Sequence, residues 1–274
     1  LVGLKPSRGR AIASIAADAR TGMNTEGVVT RSVRDTAALV DAISRAGSAS
    51  LLPFVGQPCP PLRVGLFTQA FSGSSVDPEN AMAAEHCASL LDGLGCSIEI
   101  SAPSALSDPA LWKAAATVLS VNVAVELDTW STKLGRDLGE NDLEAATWRM
   151  VAAGRSVSAV ELLAAQSVML EHTEQAEEWW ERFDLLLTPT TASAPTLLGD
   201  YAKGYQSGRG SAFTRPFNIT GQPAISLPIG WPADGLPRGV QLIAPIGRDD
   251  RLISVAAALE VVEPWASRRA TVSA

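Results

Sequence analysis

Between Phe213 and Val262 the apolar positions first alternate or run together, then recur every three or four residues. Ala224–Ile229 and Arg238–Ala244 read as two strands, because β-branched residues and leucines sit between Gly and Pro punctuation. The intervening stretch from Trp231 to Pro237 carries turn chemistry: proline fixes φ, and Asp234-Gly235 tolerates φ > 0. That spacing predicts a hairpin. After Gly247, Asp249 is placed to N-cap a helix whose apolar positions Leu252, Val255, Ala256, Leu259 and Val262 define a core-facing stripe.

Upstream, strands and helices alternate. Ser32 predicts an N-cap with Asp35 as its capping-box partner, and Leu39, Val40 and Ile43 predict the buried stripe of a helix that stops before Gly47. Leu62–Phe67 reads as a short buried strand. Asp77-Pro78-Glu79 marks a helix start on three counts: N-cap, proline at the first helical position and an acid in the first turn. This helix runs to about Leu94 and is followed by a strand over Cys96–Ile100, so residues 62–100 form a βαβ unit with parallel strands. Residues 109–182 are mostly helical, with Trp112, Trp130, Trp148, Trp179 and Trp180 on or near apolar faces. The apolar tract Ala114–Leu127 is shorter than the ~20 residues of a membrane span and predicts a buried helix. The acidic run Glu171–Glu181 reads as a solvated helix face, and residues 1–30 as an irregular segment laid over a core.

Composition narrows the functions. With 274 residues, 46% of them hydrophobic, the chain can bury one large core or two small ones. A net charge of −7 and the lack of any Lys/Arg run argue against a nucleic-acid surface and favour small uncharged partners; no membrane partner is expected. Cys59, Cys87 and Cys96 are odd in number and lack C-x-x-C spacing, which excludes a disulfide framework and a structural zinc site; a reducing cytoplasm is the expected compartment. The βαβ unit lacks a phosphate-cradling glycine motif at its first turn, so a nucleotide-binding domain is not expected. A search for a catalytic constellation finds none: no G-x-S-x-G elbow occurs, the Phe71–Ser75 loop has no lysine or glycine ladder, and His86 and His172 fall mid-helix.

Four segments carry a resemblance. FTRPFNITGQPAISLPIG followed by GLPRGVQLIAPIGRDDRLISVAAALE resembles the C-terminal block of the amidase signature family, serine hydrolases of amide C–N bonds. LVGLKPSRGR (1–10), GVVTRSVRDTAALVD (27–41) and FDLLLTPTTASAP (183–195) resemble the end of the family's signature region, the helix after it, and its late strand and pocket loop. The combination, with the tail PWASRR, is similar to the branch that includes hydrolases of cyclic nylon-oligomer dimers and related bacterial amidases. The resemblance implies an α/β fold, a mixed twisted β-sheet covered by helices on both faces and incomplete at the N-terminal side. Residues 1–274 would be the C-terminal part of a single domain with a variable helical region at about 101–182. It implies a cofactor-free, metal-free amide hydrolase acting on a small-molecule amide, with a homodimer left open.

In the family a serine nucleophile is activated through a second, cis-peptide serine by a lysine, all three upstream of the segment matched by Leu1–Arg10. No catalytic residue is therefore expected within 1–274, and the chain alone is expected to be inactive; Lys5 matches a lysine that looks structural. An unpaired sheet edge and an uncovered apolar face would then make the lone chain poorly soluble. The expected substrate-binding residues are Thr190, Thr191, Phe217, Asn218 and Gln222, with the Asn218 and Gln222 amides either satisfying loop backbone or lining the site. Arg31 and Asp35 are expected to pair, and Asn24 stands where relatives often carry Asp. Two rival readings remain: a non-catalytic subunit or pseudoenzyme, and an amidotransferase A-subunit.

Overall fold

The computed structural model describes residues 1–12, 21–139, 141–197, 200, 209–232 and 235–268. Asp234 of the hairpin turn and residues 13–20 of the opening segment, both read above from sequence, lie outside the described residues. Strands β1 (Val2–Lys5), β2 (Val28–Thr30), β3 (Arg63–Leu66), β4 (Ser97–Ile100), β5 (Leu185–Pro189), β6 (Ala224–Gly230) and β7 (Arg238–Ile243) form one seven-stranded sheet. Its order is β2-β1-β6-β7-β5-β3-β4. The sheet is mixed, as expected. The β6–β7 hairpin is antiparallel, with Ala224 opposite Ile243 and Ser226 opposite Gln241, whereas β3 is parallel to both β4 and β5. At the two edges, β2 and β4, Val29 and Ile100 are exposed.

Helices cover both faces. On one side α1 (Val33–Ile43), α2 (Pro78–Gly93) and α7 (Asp249–Val262) pack on alternate strand residues, among them Val2 and Leu4 of β1, Ile225 and Leu227 of β6, and Val240 and Leu242 of β7, all at most 2% exposed. Because successive strand side chains point to opposite faces, these positions place Gly3, Lys5, Ser226 and Gln241 on the other side. There α3 (Pro109–Leu134), α5 (Ala159–Glu177) and α6 (Arg215–Thr220) build a second core with Phe71, Phe213 and Phe217 against Leu186 and Ile243. α4 (Ala145–Ser156) packs on α3 so closely that a Cβ on Gly154 would lie 2.0 Å from the Ser120 carbonyl oxygen.

Several local expectations are corrected by tertiary structure. Ser32 does cap α1, accepting from the Asp35 N–H, but the buried stripe is Val33, Thr36, Ala37 and Val40, and Leu39 points outward. Helix α3 is 26 residues long, and by length and composition alone it could cross a membrane; only about a third of its most apolar window is buried, with Trp130 and Leu134 exposed. Arg31 and Asp35 are both exposed and form no ion pair. Asp77 and Asp249 stand at the starts of α2 and α7, yet neither caps its own helix. Both carboxylates are recruited elsewhere: Asp77 accepts from the Ala194 N–H (2.8 Å) and Arg209, and Asp249 from Ser7.

Candidate functional site

The opening strand is locked to two distant segments. The Ser7 N–H and hydroxyl donate to the two Asp249 carboxylate oxygens at 2.9 and 2.5 Å, and the same hydroxyl accepts from the Gly247 N–H at 2.8 Å. Asp249 is 1% exposed. Next to Ser7, the Arg8 guanidinium donates to the Asn218 and Ile219 carbonyls, both at 2.7 Å, and its backbone N–H donates to Gly221 O. These carbonyls end α6 and have no partners within it, so a cation there satisfies them and complements the helix dipole. Gly221, at φ 89°, makes the left-handed stop that a side-chain-bearing residue resists.

This clamp sets a polar patch in an apolar sheet. Across β1, β6, β7 and β5 one row reads Gly3, Ser226, Gln241 and Thr188, flanked by Lys5 and Ala224 on one side and by Gly239 and Thr190 on the other. The residues are small or hydrogen-bonding, unlike the aliphatic row on the opposite face. Gln241 donates to Thr188 Oγ1 (3.2 Å) and to the Phe213 carbonyl (3.1 Å), which fixes its amide, while Thr190 Oγ1 and Ser226 Oγ are 2.8 Å apart. A Cβ at Gly239 would fall 2.9 Å from Thr190 Oγ1, so glycine is what permits that hydroxyl pair to lie over the hairpin. A cavity of about 290 Å³ opens above the patch, bounded also by Thr25, Thr214 and Asn218. Lys5 bonds to Pro6 O at 3.1 Å and is not hydrogen-bonded to Ser226, so these two do not make a nucleophile–base pair.

Of the five residues singled out from sequence, two meet at this cavity. Thr190 supplies a hydroxyl, and Asn218 a half-buried amide with no side-chain hydrogen bond among the described residues. Thr191 lies one residue beyond, its carbonyl taken by the Asn80 amide at 2.8 Å. Phe217 is wholly buried edge-on to Phe71 in the second core. Gln222, 1% exposed, accepts from the Thr220 hydroxyl and donates to Glu177 at 2.8 Å. Both of these bonds are to side chains, neither to loop backbone. Burial pushes the Glu177 carboxyl above the usual range, against the lowering effect of that hydrogen bond. Sequence reading missed Ser226 and Gln241. Their signal was there, one polar residue in the interior of each of two otherwise mostly apolar strands. Among the described residues no cluster of His, Cys, Asp and Glu could hold a metal ion.

Three of the four segments that carry the resemblance meet at this cavity, and the comparison with known proteins agrees. The chain belongs to the Amidase family, whose profile matches residues 1–253. It is 38% identical to the 6-aminohexanoate-cyclic-dimer hydrolase of Paenarthrobacter ureafaciens, over 98% of this chain and 60% of that protein. The putative amidase AmiC of Mycobacterium leprae is 32% identical over 97% of this chain and 58% of its own length. A solved 6-aminohexanoate cyclic dimer hydrolase complexed with substrate superposes with a TM-score of 0.90 at 37% identity, covering 98% of this chain and 62% of that one. The chain thus spans about three-fifths of the length of these relatives.

Proposed function

We propose that the protein carrying this chain hydrolyses the amide C–N bond of a small uncharged amide, and that residues 1–274 supply a wall of its substrate site. The nucleophile is a serine activated through a cis-peptide serine by a lysine, the arrangement the family resemblance implies, and none of the three lies in 1–274. An amide carbonyl is a weak electrophile, so attack requires concerted deprotonation of the hydroxyl and donors preplaced for the oxyanion. Ser226 and Thr190 are hydrogen-bonded to each other and, among the described residues, to no basic side chain, which fits a binding wall rather than a nucleophile. The observation that carries the reading is the 38% identity, across nearly the whole chain, to a cyclic amide hydrolase. A cyclic dimer of 6-aminohexanoate is the substrate of choice for the test. Its two neutral amides suit a patch of hydroxyls and a free carboxamide, without a charged anchor.

Two measurements test this. Purified residues 1–274 should show no hydrolysis of the cyclic dimer or of a simple aryl amide, because the three catalytic groups act as a unit. In the protein carrying this chain, Asn218→Ala should raise KM about tenfold with kcat little changed, the loss of one hydrogen bond of about 1.4 kcal/mol. Turnover by 1–274 at enzyme-like rates, or an Asn218→Ala variant with parental KM, would overturn the proposal.

A further inference from the structure

Away from this site, Cys59 and Cys96 are brought together from positions 37 residues apart, with their Sγ atoms 3.9 Å from each other. Both are free thiols. Cys59 is half-buried in the proline-rich connection that leads into β3; Cys96, 4% exposed, immediately precedes the edge strand β4. The ladder beside them is fixed, since Ser97 N–H donates to Leu62 O at 2.8 Å and Arg63 faces Ser97, so that Cys59 meets Cys96 from the connection just before the ladder. A disulfide needs the sulfurs at about 2.0 Å. The missing distance is therefore small, and one of the two side chains stands on a connection outside helix and strand.

Cys87 provides the contrast. It is fully buried in the first core, and burial pushes its thiol up to about 12, which makes it inert. Cys96 moves the other way: the Cys59 S–H hydrogen-bonded to it, opposed by desolvation, holds it at about 7, while Cys59 itself is raised by the same contact. One thiolate of the pair is thus available near neutral pH, beside a thiol that can resolve it.

We propose that Cys59 and Cys96 are a reversible dithiol that a hydroperoxide oxidises to a disulfide, fastening edge strand β4 to the connection before β3. The Cys96 thiolate attacks the peroxide; an S–O bond forms, the O–O bond breaks, sulfur is oxidised to a sulfenic acid and the second oxygen leaves reduced, as hydroxide or alkoxide. Cys59 sulfur then attacks Cys96 sulfur, the S–S bond forms as the S–O bond breaks, and hydroxide leaves with the Cys59 proton as water. A dithiol reductant reverses the link.

The test is made on the protein carrying this chain, treated with hydrogen peroxide, alkylated and mapped by mass spectrometry. The Cys59 and Cys96 peptides should appear joined and two hydrogens lighter, Cys87 should be alkylated only after unfolding, and dithiothreitol should release the pair. Cys59→Ser should leave a sulfenic acid on Cys96 that dimedone traps, whereas Cys96→Ser should give neither link nor adduct. Closing a loop of this length should raise Tm by roughly 8 °C in the oxidised form, and not in Cys59→Ser. Both thiols still separately alkylated after peroxide, a link to Cys87, or an oxidised Tm equal to the reduced one would each overturn the proposal.

Discussion

Replacing Asp249 by alanine isolates the contact that fixes the end of β1. Two donors, the Ser7 N–H and O–H, lose their acceptor in surroundings where Ser7 is 5% and Asp249 1% exposed, so water cannot replace it without opening the structure. An unsatisfied buried donor costs about 1–3 kcal/mol, which makes the expected loss about 4 kcal/mol for the pair. In a protein of this size that is a fall in Tm of roughly 10 °C. Asp249→Asn keeps one acceptor oxygen and should lose about half as much. Ser7→Ala removes the O–H donor and also strands the Gly247 N–H, and the double variant should show a coupling energy of about 1 kcal/mol or more. Thermal and urea unfolding of the protein carrying this chain would supply all four corners of that cycle. A loss within about 0.5 kcal/mol for Asp249→Ala, the range of an ordinary surface substitution, would refute the reasoning.

Two further outcomes follow from packing and burial. Gly154→Ala puts a methyl 2.0 Å from the Ser120 carbonyl, so α3 and α4 must separate; the urea midpoint should fall by the equivalent of about 3 kcal/mol, and an unchanged midpoint would show the two helices are not held at that distance. For Glu177, whose carboxyl burial raises, the folded state holds the proton more tightly than the unfolded chain, so stability present in acid is lost as pH rises from the unfolded value through the raised one. Glu177→Gln removes that loss, so its stability relative to the parent should improve as pH rises above the ordinary carboxylate range; a gap independent of pH would contradict this.

Local patterning was sufficient for most elements, but it reads residues 1–30 as irregular where β1 and β2 form, and it was insufficient for what joins the elements. The alternation in Ala224–Ile229 and Arg238–Ala244 gave the hairpin, and the Asp77-Pro78 start and Gly95 gave the βαβ unit nearly to the residue. Asp249 shows where this fails: from its neighbours it reads as a helix cap, and only Ser7, 242 residues away, reveals its use. Leu39 fails differently, since helical spacing identifies a stripe but not which edge of it meets the sheet. At the site, Thr190 and Asn218 were legible through segment resemblance, while Phe217 and Gln222 sit in the same motif but face inward. Ser226 and Gln241 were legible in principle as polar breaks in buried strands, but pairing the two into one row requires the register.

The same β6 backbone serves a dry interior with Ile225 and Leu227 and a wet hollow with Ala224 and Ser226. Parity from Ala224 to Leu227, ahead of the register shift between Pro228 and Gly230, is therefore the variable that lineages must preserve. Exchanges at Ala224 and Ser226 can retune what the hollow accepts while Ile225 and Leu227 keep the protein folded, whereas loss or gain of a single residue would transpose the two surfaces and ruin both.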